Sequence, residues 1–307
     1  MLLGRLISRL EQRSIMDVGA ERGGFVDAML RAGAESVHAF DPDPDNVATL
    51  NALYGADDRV RVHPYAVSDD DGTAELHLAS SPSGEPLTFG HTLLERANTP
   101  EIEWNESRPA ARRSLGSLVS AGEIPPRTGI LKIDTEGHDL RVVEGMGRLQ
   151  ADVIMVEHWS DLPNGLGLCP WSSEEITAAL AERGFAHFAF IVHRGQFVTV
   201  KWDDGEVEQG AMGNLVFLHE SVIQRLLPDV LACAGSLAEE AVRLGQDFLA
   251  TAQARAAVID ELKRAADDRL AVIHEMSQTA DARLEDIRAL DRLASERLEQ
   301  IRELEAT

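Results

Sequence analysis

The chain is poor in positive charge. It has 29 Lys and Arg against 52 Asp and Glu, a formal net charge of -23 over 307 residues. Such a balance argues against non-specific nucleic-acid binding, which needs a basic footprint, and against attraction to an anionic membrane surface. No apolar run approaches the ~20 residues needed to span a bilayer, so no transmembrane segment is expected. The opening Met1 to Ile7 is too short for a secretory signal and reads as a short amphipathic helix. There are two cysteines, Cys169 and Cys233, far apart in sequence. They read as free thiols in a reducing, cytoplasmic compartment rather than as a disulfide framework. A Gly-x-Ser-x-Gly elbow and a Walker-type phosphate loop are both missing, which removes two common routes to nucleophilic and phosphate chemistry.

What is present begins at Ser14. The apolar run Ser14-Ile15-Met16-Asp17-Val18 enters Gly19-Ala20-Glu21-Arg22-Gly23 and then a helix near Gly24-Phe25-Val26, and Asp41 closes the next apolar run. This is a nucleoside-binding strand, loop, helix and strand, in which the second acid can take two ribose hydroxyls. A dinucleotide needs Gly-x-Gly-x-x-Gly to seat its pyrophosphate on the helix N-terminus. Here the spacing is Asp17-x-Gly19-x-x-x-Gly23, and an acid at the strand tip would repel a pyrophosphate. The loop suits a ligand with a positive amine and no phosphate, of which S-adenosylmethionine is an example. A nicotinamide dehydrogenase is disfavoured by the missing glycine.

Strands alternate with helical patterns from Ser14 to about Leu218, which predicts an α/β, doubly wound, mostly parallel sheet of Rossmann-like type. Parallel strands are expected at Ile15 to Val18, Val37 to Phe40, Val60 to His63, Ile130 to Ile133 and Val153 to Val156. Helices are expected at Phe25 to Ala32, Pro44 to Leu53, Leu140 to Leu149 and Ser173 to Arg183. Thr73 to Leu78 reads as a small antiparallel addition. Residues 80–111 break the rhythm with turn chemistry and read as an irregular lid insertion. Three antiparallel strands, at His187 to Val192, Gln196 to Lys201 and Gly213 to His219, close a domain spanning 1–228. After Pro228 the character changes: from 236 to 307 there is no proline, and Ala, Glu, Arg and Leu dominate. Apolar residues there step by four and three, with a stutter at Val258-Leu262-Ala266, which reads as a coiled-coil helix for self-association or docking.

Four expected strands end in a carboxylate: Asp17, Asp41, Asp134 and Glu157. Crowded like charges cost stability unless something offsets them; a cationic cofactor with polyhydroxyl groups would do so, and a divalent metal is the other candidate. The segment Asp134-Thr135-Glu136-Gly137-His138-Asp139 adds three carboxylates and an imidazole in six residues. Asp139 reads as a cap of the helix starting at Leu140. His138 or His158 could accept a hydroxyl proton, since either titrates near neutral pH. A metal on Asp134, Glu136 and a histidine has acceptable ligand types but no strict ligand spacing, and is not favoured.

Together, Asp17-Val18-Gly19-Ala20-x-x-Gly23, Phe40-Asp41-Pro42, Ala66-Val67-Ser68-Asp69, Leu131-Lys132-Ile133-Asp134-Thr135-Glu136-Gly137 and Val156-Glu157-His158 resemble the FkbM family of S-adenosylmethionine-dependent methyltransferases. The resemblance covers about residues 14 to 160, with Gly213 to Phe217 fitting the closing strand. It implies cofactor contacts at Asp17, Gly19, Ala20, Gly23, Asp41, Pro42, Ala66 and Ser68, and O-methyl transfer to a hydroxyl of a sugar, glycan or related small molecule. Relatives often carry Asn at Glu21 and Glu at Asp41, and an acid where Gly116 stands. The catalytic candidates are then His138 or His158 as base, with Asp134 and Glu136 orienting the acceptor. An alternative is an assembly protein whose methyltransferase domain is weak or vestigial.

Overall fold

The computed structural model describes residues 2–159, 169–185, 188–194, 197–202 and 212–233, together with Arg269. The chain divides into two compact units, Met1–Gly245 and Gln246–Thr307. The expected coiled-coil helix of 236–307 lies, Arg269 apart, outside the described residues.

In chain order the elements are α1 (Leu2–Arg9), β1 (Ser14–Val18), α2 (Gly24–Arg31), β2 (Ser36–Phe40), α3 (Pro44–Tyr54), β3 (Val60–His63), β4 (Ala66–Ser68), β5 (Gly72–Ser80), β6 (Glu103–Ser114), α4 (Leu115–Ala121), β7 (Arg127–Ile133), α5 (Asp139–Glu144), β8 (Gln150–Trp159), α6 (Ser173–Ala181), β9 (Phe188–Arg194), β10 (Phe197–Trp202), β11 (Met212–Leu218) and α7 (Ile223–Cys233). The main sheet runs β10-β9-β11-β8-β7-β1-β2-β3. Its β3 to β8 half is parallel, and β11, β9 and β10 are antiparallel. The result is the mixed, mostly parallel sheet that the alternation of strands and helices predicts.

Strand alternation assigns each face. Met16 and Val18 of β1 join Leu131 and Ile133 of β7 in a core under α4, α5 and α6, while Ile15 and Ile130 join a core with α1, α2 and α7. Every residue of β1 is buried, as expected for a central strand covered on both sides. Leu226 and Val230 of helix α7, with Val222 just before it, form one apolar stripe at four-residue spacing in the same core as Leu6 and Ile7 of α1 and the adjoining Leu10.

The expected domain end at residue 228 falls within this helix. Pro228 lies inside α7, which continues to Cys233. The buried apolar stripe offsets the missing backbone donor.

Residues 80–111 also differ from expectation. Strand β6 takes up Glu103–Ser114 and pairs antiparallel with β5 and parallel with the short β4, so irregular backbone is confined to about 81–102. Apolar alternation could not announce β6, because most of its residues are polar and only Trp104 and Ala110 are fully buried. Pro109 is tolerated because β4 pairs only with Arg112 to Ser114, leaving one flank open there.

Candidate functional site

The chain runs outward from β1 to β2 and β3, then returns to place β7 and β8 on the other side of β1. Ligands of open α/β sheets bind beyond the carboxyl ends of the strands at such a reversal. A cavity opens there, lined at one end by Gly19, Ala20, Glu21, Asp41 and Pro42, and at the other by Asp134, Glu136 and His138. Phe40, Tyr65, Ala66 and Val67 supply apolar wall, and Thr88 to Leu93 roof it from the 81–102 segment.

Gly19 turns the chain out of β1 at φ +75°. The N–H groups of Gly19 and Ala20 both donate to the Phe40 carbonyl, each at 3.0 Å, which ties the loop to the end of β2. A Cβ on Gly19 would collide with the Asp134 carbonyl. Gly23 has a different duty. It does not line the cavity; it caps α2 at φ +87°, packs under the Tyr54 ring and accepts the Tyr54 hydroxyl at 3.0 Å.

Asp41 is where a ribose-binding acid is expected. Its Oδ2 accepts the Glu21 N–H at 2.8 Å, and its Oδ1 accepts the Asp43 N–H at 2.9 Å and Asn46 Nδ2 at 3.3 Å. Oδ2, with a single partner, keeps acceptor capacity for a further donor. Burial pushes the carboxyl up to about 7, against the pull of those hydrogen bonds.

Asp17 is not exposed to the cavity at all. It is fully buried, and the parallel register of β1 with β7 sets it beside Lys132. Lys132 Nζ lies 3.1 Å from Asp17 and 3.3 Å from Asp134, donates to the Gly19 carbonyl at 3.3 Å, and sits 4.5 Å from the centre of the Phe25 ring. Two carboxylates hold the ammonium above its ordinary range despite complete burial, while burial pushes Asp17 up against the opposing charge of Lys132. The charge expected to be offset by a ligand at Asp17 is therefore offset within the protein. A lysine between Leu131 and Ile133 of a central strand was the available signal, since a buried charge requires a partner.

Glu136 stands at φ +55°, a strained conformation for a residue with a side chain. The roof segment holds it there. The Gly90 N–H donates to Glu136 Oε1 at 3.1 Å, and Thr92 Oγ1 and Arg96 Nη2 donate to its carbonyl at 3.0 and 2.7 Å. At the other end of the roof, Thr88 Oγ1 donates to Glu21 Oε1 at 2.6 Å. Asp134, Glu136 and Glu157 bring carboxylate oxygens within 4.8 Å of one another. Burial, with Asp134 and Glu136 beside it, pushes Glu157 well above the usual carboxylate range, which favours its protonated form and eases the crowding. The histidine expected among these acids is not in the group. Asp139 is no forward cap: its carboxylate accepts from Thr135 N, Thr135 Oγ1 and Gly137 N, bracing the loop behind it.

The two histidines separate. Alternation along β8 turns His158 away from Glu157, onto the α5–α6 face, where its ring lies 4.8 Å from that of Trp171. It does not line the cavity, and burial pushes it down to about 4. His138 does line the cavity, and its Nε2 lies 2.9 Å from Ser68 Oγ. Ser68 is itself wholly buried and not part of the wall. Cys169 is a free thiol pushed up to about 12 by burial, unsuited to act as a nucleophile.

Fold and cavity together define a Rossmann-like α/β domain with an acidic wall beyond the carboxyl ends of its parallel strands. Comparison with known proteins gives the particular family. A profile of the methyltransferase FkbM domain matches residues 17–186, more than half of the chain, and the chain belongs to that family. Hexuronic acid methyltransferase AglP of Haloferax volcanii is 28% identical over 143 residues, 46% of this chain and 53% of that protein. The chain thus spans about half the length of this curated relative. Among solved structures, the methyltransferase FkbM of Methylobacillus flagellatus aligns with 15% identity and a TM-score of 0.37, over 66% of this chain and 43% of that one. A SAM-dependent methyltransferase of Aquifex aeolicus aligns with 12% identity and a TM-score of 0.33, over 67% and 81%. Among the described residues no helix is long and apolar enough to cross a membrane.

Proposed function

We propose that this protein transfers the methyl group of S-adenosylmethionine to a hydroxyl of a sugar or glycan. The observation that carries the reading is the charge of the wall. Glu21, Asp41, Asp134 and Glu136 line the cavity, and Lys132, the one lysine or arginine among its described lining residues, is already held between Asp17 and Asp134. Such a wall repels phosphates and favours a cationic ligand. Family membership and the relative named for a hexuronic acid support methyl transfer and a sugar acceptor.

Asp41 would accept the ribose hydroxyls, with its carboxylate aimed by the Glu21 and Asp43 N–H groups. Gly19, Ala20 and Pro42 form the wall beside it, and Ala66 and Val67 offer an apolar face to a base. Asp17 acts at one remove, by fixing Lys132 beneath the Gly19 turn. When bound, the cofactor supplies an activated methyl group on a sulfonium. The protein's task is then to hold the acceptor oxygen in line with it, exclude water, and take the hydroxyl proton. The roof segment, pinned at both Glu21 and Glu136, covers that space. Asp134 and Glu136 lie where they can orient the acceptor hydroxyls.

Calorimetric titration tests the reading directly. S-adenosylmethionine should bind the full chain with one site, and Asp41→Ala should weaken it at least about tenfold, the loss of a charged hydrogen bond of ~1.5–3 kcal/mol. Absence of binding to the unmodified chain would sink it.

The same titration carries a pH prediction. Ribose hydroxyls donate to Asp41, so binding favours its charged form and releases a proton. Affinity should therefore rise with pH and level off above about 7, where Asp41 is already ionised. Asp41→Asn should flatten that profile between pH 6 and 8.

A further inference from the structure

The hydrogen bonds around His138 fix more than its position. Ser68 Oγ lies 2.8 Å from Asp69 Oδ1 and 2.9 Å from His138 Nε2. Asp69 is kept ionised below the ordinary range by its hydrogen bond from Ser68 and by Arg141 at 3.4 Å, and an ionised carboxylate can only accept. The one hydroxyl hydrogen of Ser68 therefore goes to Asp69. Ser68 Oγ has then only lone pairs to offer the imidazole, so His138 Nε2 must carry the ring proton and donate it. That leaves Nδ1 as a bare lone pair. It is buried and finds no hydrogen-bond partner among the described residues. A buried polar atom left unpartnered calls for an explanation, and on a residue that lines the cavity a catalytic role is one.

We propose that Asp69 and Ser68 lock His138 in the Nε2–H tautomer, and that His138 Nδ1 is the base that takes the proton of the acceptor hydroxyl. This rests on the methyl-transfer reading of the preceding subsection. As the acceptor oxygen bonds the methyl carbon, the carbon–sulfur bond breaks with its electron pair left on sulfur. The hydroxyl proton passes to Nδ1. The new imidazolium keeps its donation to Ser68, whose hydroxyl stays committed to Asp69, so the positive charge faces a carboxylate through one hydroxyl. The imidazolium then loses its proton to water. His138 is the catalytic residue here; Ser68 and Asp69 are positioning residues. Of the other cavity acids, Asp134 is paired with Lys132, and Glu136, which burial pushes up to about 7, has its Oε1 engaged by the Gly90 N–H.

Two measurements on the full chain decide the matter. With ¹⁵N-labelled histidine, long-range ¹H–¹⁵N spectra should show His138 protonated at Nε2 and bare at Nδ1, assigned by its disappearance in His138→Gln. Ser68→Ala should convert it to a mixture of tautomers. Asp69→Asn, at a more exposed position that leaves the core intact, should do the same, because a carboxamide can donate to Ser68 and reverse the chain. Protonation at Nδ1 in the unmodified protein, or an unchanged tautomer in both variants, overturns the lock. Methyl transfer from labelled S-adenosylmethionine to the glycan pool of the source cells then reads the catalytic part. His138→Gln should lower kcat at least about 100-fold and Ser68→Ala about tenfold, with cofactor affinity unchanged. A wild-type kcat in His138→Gln overturns the assignment. Failure of the unmodified chain to bind the cofactor would instead strike the methyl-transfer reading, and the tautomer result would stand apart from it.

Discussion

Lys132→Met should destabilise the folded domain by about 3–5 kcal/mol, the range for removing one partner of a buried ion pair. Methionine nearly matches the volume of the lysine stem, so the loss isolates charge from packing. What remains is Asp17, with no exposed surface, and Asp134 beside it, both without their shared cation. The reference state decides the size: unfolding returns both acids to water, so the folded state alone bears the desolvation. Two controls separate this from a packing defect. The double variant Asp17→Asn with Lys132→Met removes the stranded charge and should recover most of the loss. The deficit of the single variant should also depend on pH. Stranded Asp17 would have a folded-state pKa raised above its unfolded value of about 4. The folded state then binds more protons than the unfolded one, so stability falls as pH rises from about 4 and recovers on acidification. Urea unfolding at pH 5 and pH 8 measures this. A deficit below about 1 kcal/mol at pH 8 would mean that the pair does not govern the folding energy.

That ion pair also shows how far the sequence could be read. The strands and the mostly parallel sheet follow from apolar runs, most of which match the observed elements closely, although β7 starts earlier, β8 is longer at both ends and α5 is shorter than expected. The order of the strands is a matter of pairing that the runs do not report. Four strand-tip acids were legible as well, but their directions were not. Asp17 and Glu157 look like cavity residues in sequence, but register gives Asp17 to Lys132, and burial beside Asp134 and Glu136 raises the pKa of Glu157. Glu21 and Glu136 take their places in the wall. Both have left-handed backbone, at φ +49° and +55°, a property of the loops that no periodicity reports. His138 and His158 were equivalent candidates until strand alternation put His158 against Trp171. Strand β6 was invisible because its partners β5 and β4 bury so little of it that its residues stay polar on both faces. Its recognition needs the pairing, which is non-local.

Gly19→Ala should be the most damaging single change in the glycine loop, with cofactor affinity lowered at least about 100-fold, or ~2.7 kcal/mol. Two costs add. The left-handed conformation at φ +75° costs an L-residue about 1–2 kcal/mol. The new methyl group also points into the Asp134 carbonyl, so the tips of β1 and β7 must part. Neither tip can move freely: the Asp134 N–H donates to the Val18 carbonyl at 3.0 Å, and the Gly19 and Ala20 N–H groups are bound to Phe40. Separation would therefore break backbone bonds on both sides of the loop and draw Lys132 away from the Gly19 carbonyl. Gly24 provides the comparison. It also lines the cavity, but a Cβ there meets nothing within 4 Å, and it opens helix α2, where alanine is the better helix former. Gly24→Ala should leave the unfolding free energy within about 0.5 kcal/mol of the original, as for changes away from packed or strained positions. Gly23→Ala should lie between them: it too has positive φ, but its contact is the Tyr54 ring, a side chain that can turn aside. Calorimetric titration with S-adenosylmethionine and urea unfolding of the three variants give the ranking. Equal losses at Gly19 and Gly24 would place the glycine requirement in contact with the ligand rather than in the approach of β1 to β7.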